Sequence, residues 1–328
     1  MFSDFIVFAC RGDGFYDVAY SDLLNRKDVK YYNHPMKSIR SFFLRLLGKL
    51  VFRPSFNAFF PRWVEIAIYH AILKGVDDNA GKHCFVIFYP TYFYLKDGFV
   101  SAIRKRFTNS KIVLYFQDII SSYRGLDKQI SFIKDRFDVV LSYDKDDSSK
   151  YGFTYYPTPF SIISVNDINS VSECDVYYCG KAKSRYPLIF QAYKSCQERG
   201  LKCNFFIFGL KKEYQIKAPG LHYDTPVNYI QNLRYVNRTK CILEIMQEGA
   251  TGYTPRLWES IVFDKHLLTN NESIINSKYY NFNSIHLIDS DMCSIQEWIN
   301  LNVNYNNSIK RELSPIYLLS FLNELFSD

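Results

Sequence analysis

Short apolar runs alternate with amphipathic stretches along the chain of 328 residues. Apolar runs of four to eight residues are typical of strands, whereas apolar positions three and four apart are typical of helices. In the first half, strands are predicted at residues 5–10, 29–32, 84–89, 111–116 and 138–143. Helical patterns lie between them, for example at residues 63–74 and 94–107. This alternation is the signature of an α/β architecture.

A turn at Pro157-Thr158-Pro159 and a polar stretch up to residue 173 interrupt the alternation and indicate a linker. Beyond it, strands are predicted at residues 175–179, 203–208, 220–223, 241–246, 266–269 and 284–288. Helices are predicted at residues 184–199, 226–236, 254–262, 293–303 and 310–326. Each half has the size of a Rossmann-like unit. We predict two Rossmann-like domains, residues 1–160 and 161–328, facing across a cleft, with the last helix a candidate to pack back on the first domain.

Composition fits a folded chain, because 48% of the residues are hydrophobic and 22% are charged. It excludes a mainly disordered chain, a coiled coil and a collagen-like fibre. The eight cysteines form no C-x-x-C pair, and several lie in apolar runs. They are expected to be buried free thiols in a reducing compartment.

The net charge of +7 belongs entirely to the first half of the chain. Residues 1–160 hold 23 basic and 16 acidic residues, whereas residues 161–328 hold 17 of each. Residues 36–63 carry no acidic residue but six basic ones, which are Lys37, Arg40, Arg45, Lys49, Arg53 and Arg62. Phe and Leu side chains are interleaved with them, a pattern that suits an anionic membrane surface. The alternative is an ordinary amphipathic helix with its apolar stripe on the core.

The expected membrane contacts are Lys37, Arg40, Arg45 and Lys49. No uncharged apolar run reaches about 18 residues, so no spanning helix is predicted. The chain is therefore expected to be cytoplasmic and peripheral on the inner face of the cytoplasmic membrane. Nucleic acid is not expected as a partner, because the sequence has neither a basic repeat nor a recognised nucleic-acid module.

The segment 241–271, CILEIMQEGATGYTPRLWESIVFDKHLLTNN, carries the most informative chemistry. A predicted strand leads into a glycine-containing loop, and a helix then begins near Thr254 with Pro255 in its first turn. Such a helix start favours phosphate through its free N–H groups and its dipole. Arg256 can add a charged contact, and Glu259 on the same helix face can accept hydrogen bonds from a ribose. The alternative is a capped helix with a surface Arg–Glu pair.

This segment resembles the donor-site signature of bacterial lipopolysaccharide and O-antigen glycosyltransferases with the GT-B fold. The signature is G-x-T-x-R-x-x-E followed by an apolar strand ending in T-N-N, matched here by residues 252–259 and 265–271. Residues 175–185 (DVYYCGKAKSR), 111–119 and 137–160 resemble other parts of the same family. The likeness covers separate stretches between residues 84 and 290, and residues 20–80 match nothing specific.

The resemblance implies a hexosyltransferase that moves a sugar from a nucleotide-sugar donor to a lipid-linked saccharide acceptor in surface polysaccharide biosynthesis. It implies that Thr254, Arg256 and Gly252 bind the diphosphate and that Glu259 binds the ribose. Gly180, Lys181 and Arg185 would line the phosphate side, and Glu248 would face the sugar. GT-B enzymes generally work without a bound metal, so neither a metal nor another cofactor is expected.

The catalytic base is expected in the first domain, at the carboxyl end of a strand. Asp13 follows the first predicted strand, and Asp118 follows the strand that ends at Phe116. The structural alternatives are a turn for Asp13 and a helix cap for Asp118. The family usually has an aromatic residue before its first-domain aspartate, where this chain has Gln117.

Two competing hypotheses follow from the same sequence. Two D-x-D triplets, 144–146 and 289–291, are of the kind that binds a divalent metal in GT-A glycosyltransferases. Because of the first triplet, one alternative is a metal-dependent GT-A transferase that uses Asp144 and Asp146. Both acids also suit the start of a helix. The other hypothesis is a non-catalytic, membrane-associated scaffold that keeps the fold without turnover.

Overall fold

A computed structural model describes residues 1–9, 14–53, 56, 59–77, 81–248, 250, 252–288 and 295–327. Its internal contacts divide the chain into two compact units. The first unit contains residues 1–161 and 314–328, and the second contains residues 162–313. Among the described residues, no helix combines the length and the apolar character needed to cross a membrane.

The first unit is a six-stranded parallel sheet with helices. Its strands are β1 (Asp4–Phe8), β2 (Val29–Tyr32), β3 (His83–Phe88), β4 (Lys111–Phe116), β5 (Val139–Ser142) and β6 (Thr154–Tyr155). Its helices are α1 (Phe15–Ala19), α2 (Phe42–Val51), α3 (Arg62–Leu73), α4 (Tyr89–Arg106), α5 (Ile130–Lys134) and α6 (Lys145–Tyr151). The central strand β3 is buried along its whole length, as expected for a parallel sheet covered on both faces.

The second unit repeats this architecture. Its strands are β7 (Cys174–Lys181), β8 (Cys203–Phe208), β9 (Leu221–Tyr223), β10 (Thr239–Glu244), β11 (His266–Thr269) and β12 (Ile285–Leu287). Its helices are α7 (Tyr186–Glu198), α8 (Tyr229–Asn237), α9 (Pro255–Val262), α10 (Ile295–Trp298) and α11 (Asn307–Glu312).

Six cysteines of the described residues, in both units, are free thiols, and five of them are buried.

The strand orders place a reversal in each sheet. The first sheet has the order β2-β1-β3-β4-β5-β6, and the second has the order β12-β11-β10-β7-β8-β9, with every pair parallel. The order therefore reverses between β1 and β3 in the first unit and between β7 and β10 in the second. These reversals are the topological switch points at which open α/β sheets bind ligands.

The last helix, α12 (Pro315–Leu325), belongs to the first unit although it follows the second in sequence. The Ser314 hydroxyl donates to Asp22 at 2.5 Å, and Asn323 accepts from the backbone N–H of Phe2 at 2.8 Å. The rings of Phe321 and Tyr156 lie 4.9 Å apart. The C-terminal segment is thus held by polar and aromatic contacts within the first unit.

The eleven predicted strands are all present, four of them with the predicted bounds. The two-residue strand β6 was not predicted, because Thr154–Tyr155 is too short to show a periodicity. The single helix predicted at residues 310–326 is wrong: it is two helices, α11 and α12. The break falls where Ser314 caps the new helix and Pro315 occupies its first turn, a position that suits proline.

Candidate functional site

The carboxyl ends of β7 and β10 lie side by side at the reversal of the second sheet. Strand β7 ends with Gly180 and Lys181 and passes into a short 3₁₀ turn, Lys183–Arg185. Strand β10 ends at Glu244 and leads through a loop into α9. The donor residues predicted from the sequence therefore lie on the two segments that flank the switch point.

Helix α9 begins as its sequence predicts. Thr254 is its N-cap, and the Thr254 hydroxyl oxygen accepts from the backbone N–H of Arg256 at 3.2 Å. Pro255 fills the first helical position, where a missing N–H costs nothing. The backbone N–H of Leu257 donates to the Thr254 carbonyl at 3.1 Å, so these first-turn N–H groups are already bonded and it is the positive end of the helix dipole that favours an anion here.

Glu244 is a site residue that sequence reasoning missed. Its side chain is only 2% exposed, and its carboxylate accepts from the hydroxyls of Thr254 and Thr269. Burial raises the pKa of Glu244, while the two hydroxyls and the charge of Arg256 act in the opposite direction. The available signal was a lone carboxylate in the apolar strand CILEIM, because a buried acid needs such partners.

Arg256 lies half-buried between the two strand ends. One Nη donates to the carbonyl oxygen of Cys179, and the guanidinium carbon lies 5.6 Å from the ring centroid of Tyr178. Burial alone would lower the pKa of Arg256, but attraction to Tyr178, Glu259 and nearby groups raises it. The guanidinium is thus a fixed positive charge at the switch point, held by an aromatic face and a backbone carbonyl.

Gly180 is required by this arrangement. A Cβ at residue 180 would lie 2.8 Å from the Tyr178 hydroxyl oxygen and 2.9 Å from Nη2 of Arg256. Tyr178 is fully buried, so its hydroxyl has no room to move aside. The glycine of the sequence pattern therefore makes space for the arginine, a role distinct from the phosphate contact that the resemblance implied.

Glu259 is 4% exposed and lies one helical turn after Arg256. Its Oε1 accepts from the Tyr229 hydroxyl at 2.7 Å and from Asn232 Nδ2 at 3.1 Å. Burial raises the pKa of Glu259 to about 6, and the attraction of Arg256 limits the rise. Both bonds fall on Oε1, and neither engages Oε2. The pair is therefore part of a buried network and not a surface Arg–Glu pair.

Arg185 links the two strand ends directly. Its Nη1 donates to the carbonyl of Ile245 at 2.9 Å and its Nη2 to the carbonyl of Lys181 at 2.5 Å. Burial lowers the pKa of Arg185, and the like charge of Arg256 adds to this effect. Lys181 is exposed beside them. Two guanidinium groups and a lysine thus concentrate positive charge at one edge of the sheet.

The T-N-N stretch, residues 269–271 at the end of β11, contacts described residues at both ends of the connection between β10 and α9. Thr269 binds Glu244, Asn270 Oδ1 accepts from the N–H of Met246 at 2.7 Å, and Asn271 Nδ2 donates to the Gly252 carbonyl at 3.5 Å. Gly252 is buried. Glu248, which the resemblance placed against a sugar, is exposed in the same loop. This stretch therefore holds Glu244, Met246 and Gly252 near the start of α9.

Of the two aspartates predicted as the catalytic base, Asp13 and Asp118, the structure describes only Asp118. Asp13 lies outside the described residues. Asp118 is half-buried after β4, where its Oδ1 accepts from the adjacent N–H of Ile119 at 3.0 Å. Burial raises the pKa of Tyr143, and the negative charges of Asp118, Asp144 and Asp147 add to this rise. Asp118 therefore shares an acidic surrounding at the carboxyl edge of the first sheet.

The first D-x-D triplet, residues 144–146, lies at the start of helix α6, as its structural alternative predicts. Asp144 is 1% exposed and caps α6, accepting from the N–H of Asp147 at 3.0 Å, whereas Asp146 is exposed in the first helical turn. Among the described residues, no group of three His, Cys, Asp or Glu side chains is arranged to hold a metal. The second triplet, residues 289–291, lies outside the described residues.

The basic residues expected to touch a membrane lie on and before α2. Lys37, Arg40 and Lys49 are exposed. Arg45 is half-buried and donates to the carbonyl of Ile39 through Nη2 at 2.9 Å and through Nε at 3.3 Å. Arg45 thus fastens the start of α2 to the chain before it.

No protein-family model matches the chain, and no curated protein matches its sequence. Solved structures resemble its fold. UDP-GlcNAc 2-epimerase from Methanocaldococcus jannaschii matches with a TM-score of 0.54 at 9% identity over 98% of this chain and 99% of the epimerase. The epimerase from Neisseria meningitidis bound to UDP-GlcNAc gives 0.52 at 10% identity over 98% and 100%. An α-glucosyltransferase in complex with UDP and a 13-mer DNA gives 0.50 at 12% identity over 91% and 90%.

These similarities establish the fold: the chain consists of two Rossmann-like domains of the GT-B type, as the sequence predicted. The GT-A alternative is therefore wrong as a fold. The exclusion of nucleic acid as a partner is also wrong, because a structure of the same fold is in complex with DNA. The lack of a recognised nucleic-acid module in the sequence gives no ground for that exclusion.

Proposed function

We propose that the chain is a glycosyltransferase that binds a nucleotide sugar at the switch point of its second unit. The observation that carries this proposal is the placement of Arg256. Its guanidinium lies between the ends of β7 and β10, over Tyr178 and beside the start of α9. A fixed cation next to the positive end of a helix dipole is suited to a diphosphate.

The proposed chemistry is stabilisation of the leaving group. When the bond between sugar and diphosphate breaks, negative charge grows on the diphosphate. Arg256, Arg185 and the dipole of α9 would meet this charge with positions that are already fixed. We propose that these groups perform this task without a bound metal, so that chelators leave transfer unchanged.

Glu259 is the proposed ribose ligand. Tyr229 and Asn232 hold Oε1, which fixes the carboxylate while leaving Oε2 outside these two bonds. An ionised carboxylate accepts hydrogen bonds from the hydroxyls of a ribose, as acidic residues do in other nucleotide sites. Since its pKa is about 6, Glu259 is ionised at neutral pH.

The proposed acceptor is a lipid-linked saccharide of surface polysaccharide biosynthesis. The resemblance of residues 241–271 to O-antigen glycosyltransferases supports this class of acceptor. We propose Asp118 as the base that takes the proton of the acceptor hydroxyl, with Asp13 as the alternative. Asp118→Asn should then abolish transfer without changing nucleotide affinity.

The deciding experiment has two stages. Calorimetric titration with UDP, GDP and their sugars should first show a nucleoside diphosphate that the wild-type chain binds and Arg256→Ala does not. The preferred nucleotide sugar is then incubated with lipid-linked saccharides, with duplex DNA and without acceptor. We expect saccharide transfer that survives EDTA.

The outcomes separate the alternatives. Epimerised nucleotide sugar formed without acceptor would replace the transferase proposal with an epimerase. Glycosylated DNA would keep the transferase and overturn the lipid-linked acceptor. Nucleotide binding without turnover on any acceptor would favour a scaffold, and binding unaffected by Arg256→Ala would refute the site.

A further inference from the structure

Helix α2 has two apolar stripes, and only one of them faces the core. Leu44, Leu47, Gly48 and Val51 form the inner stripe, in which Gly48 and Val51 are buried. Gly48 packs against α3, because a Cβ there would lie 3.4 Å from Cγ2 of Ile68. This inner stripe supplies the contacts of α2 with the hydrophobic core.

The outer stripe consists of Phe42, Phe43, Leu46 and Leu50, all exposed to solvent. Phe42 is 73% exposed and Phe43 is 83% exposed. By helical geometry these four residues lie within an arc of about 100° on the side opposite the core. A surface helix normally presents polar residues on that side, so α2 has an exposed apolar stripe in addition to the stripe that an ordinary amphipathic helix packs on the core.

The neighbouring helix α3 continues the pattern. Trp63 is 69% exposed, and Ile66, one turn later, is also exposed. We call the six residues Phe42, Phe43, Leu46, Leu50, Trp63 and Ile66 the docking face. Large exposed apolar surfaces on soluble proteins usually mark a site of interaction.

The charges around the docking face are mainly positive, the half-buried Glu65 on α3 being the acid next to Ile66. Arg40, Lys49 and Arg62 are exposed beside its residues, and no acidic residue occurs between residues 36 and 63. A partner must therefore offer both negative charge and an apolar phase. The surface of an anionic bilayer offers both, with lipid phosphates for the basic groups and acyl chains for Phe, Leu and Trp.

We propose that the docking face inserts into the interfacial layer of an anionic membrane. The aliphatic side chains Leu46, Leu50 and Ile66 favour a bilayer over DNA, whose outer phosphates provide no apolar phase. This inference does not depend on the proposed donor site, because membrane binding is measured without nucleotide.

The test is co-sedimentation of the full chain with vesicles of phosphatidylcholine alone and with 30% phosphatidylglycerol. We expect binding to the anionic vesicles only. Phe43→Ser with Leu46→Ser should weaken it at least about tenfold, because both side chains lose apolar contact. Arg40→Glu with Lys49→Glu should weaken it by a similar factor at low salt.

Matched controls lie in the second unit. Phe282 is 70% exposed and Lys217 is also exposed, so Phe282→Ser and Lys217→Glu change the same residue types elsewhere. Both should bind vesicles like the wild-type chain. Unchanged melting temperatures and unchanged nucleotide affinity of all variants would show that the fold and the donor site are intact.

Three results would overturn the proposal. The first is equal binding of wild-type and docking-face variants to anionic vesicles. The second is binding of duplex DNA, but not vesicles, that Phe43→Ser with Leu46→Ser abolishes. The third is a dimer in sedimentation velocity that the same double variant dissociates, which would assign the face to a second copy of the chain.

Discussion

The switch point of the second unit and the docking face of the first depart from ordinary packing in opposite directions. At the switch point, the carboxylates of Glu244 and Glu259 are buried beside the guanidinium of Arg256. On the docking face, Phe43 and Trp63 are more than two-thirds exposed. Buried charge and exposed apolar surface are the two departures that carry information, because each is unfavourable without a partner.

The two regions also differ in how completely the chain itself supplies the partners. Threonine hydroxyls bind Glu244, a tyrosine and an asparagine bind Glu259, and a ring and a carbonyl hold Arg256. The network is thus preorganised, which is what binding a small charged ligand requires. The side chains of the docking face are exposed, and the counterpart proposed for them lies outside the chain.

The largest effect is expected from Arg256→Ala, which should lower the rate of transfer at least about a thousandfold. The variant removes the fixed charge opposite the growing charge of the leaving group. Arg256→Lys should also lose most of the activity, since an ammonium cannot replace the planar guanidinium that lies over the ring of Tyr178. Arg311→Ala, an exposed arginine on α11, is the control and should retain full activity.

The next effect is a pH dependence of stability caused by Glu259. Its pKa of about 6 is above its ordinary value of 4.5. As the pH rises, the unfolded chain therefore releases this proton at a lower pH than the folded chain does. Stability should therefore fall as pH rises from below 4.5 to above 6, by about 2 kcal/mol in all for this group and by about 1.3 kcal/mol between pH 4.5 and 6. Burial also raises the pKa of Glu244, which adds to the fall in the same direction.

Denaturant titrations at pH 4.5, 5.5 and 6.5 check this prediction. Glu259→Gln should make the decline shallower, whereas Glu198→Gln, an exposed acid on α7, should leave it unchanged. A decline of the same size in Glu259→Gln would show that other groups cause it. Such a result would weaken the view that Glu259 is held as a buried, preorganised carboxylate at the switch point.

A smaller effect is expected from Gly180→Ala. The new Cβ would lie within 3 Å of both Tyr178 and Arg256, so the guanidinium must move. We expect about tenfold weaker nucleoside diphosphate binding by calorimetry. Removing the tyrosine hydroxyl in Gly180→Ala with Tyr178→Phe should restore part of it. Gly75→Ala, where the nearest atom lies at 3.4 Å, is the control and should bind normally.

Sequence patterns predicted the fold well because its strands are short and most of the inner ones are apolar and buried. The run of β3, HCFVIF, is continuous because a parallel sheet covers both faces of its central strands. The helix start at Thr254 and Pro255 was also predictable, since capping depends on neighbouring residues alone. Local signals of this kind need no knowledge of the tertiary structure.

The network around the site was less predictable, because its partners are distant in sequence. Tyr229 lies 30 residues from Glu259, and Cys179 lies 77 residues from Arg256. The sequence predicted that the Phe- and Leu-rich segment 36–63 contacts a membrane or packs on the core, but not which apolar residues of α2 do which. The packing of Gly48 against α3 shows which side faces the core.

The smallest expected effect is a change in the free energy of unfolding, and it tests whether the docking face belongs to the core. Phe43→Ser should change the free energy of unfolding by less than about 0.5 kcal/mol, because the ring is 83% exposed and contributes little to the core. Phe116→Ser, a fully buried ring in β4, should lower it by more than about 3 kcal/mol. Urea titrations of both variants measure this difference. If Phe43→Ser were as destabilising as Phe116→Ser, the outer stripe would be part of the core in solution. If it left stability unchanged and also reduced vesicle binding, the ring would serve a partner outside the chain.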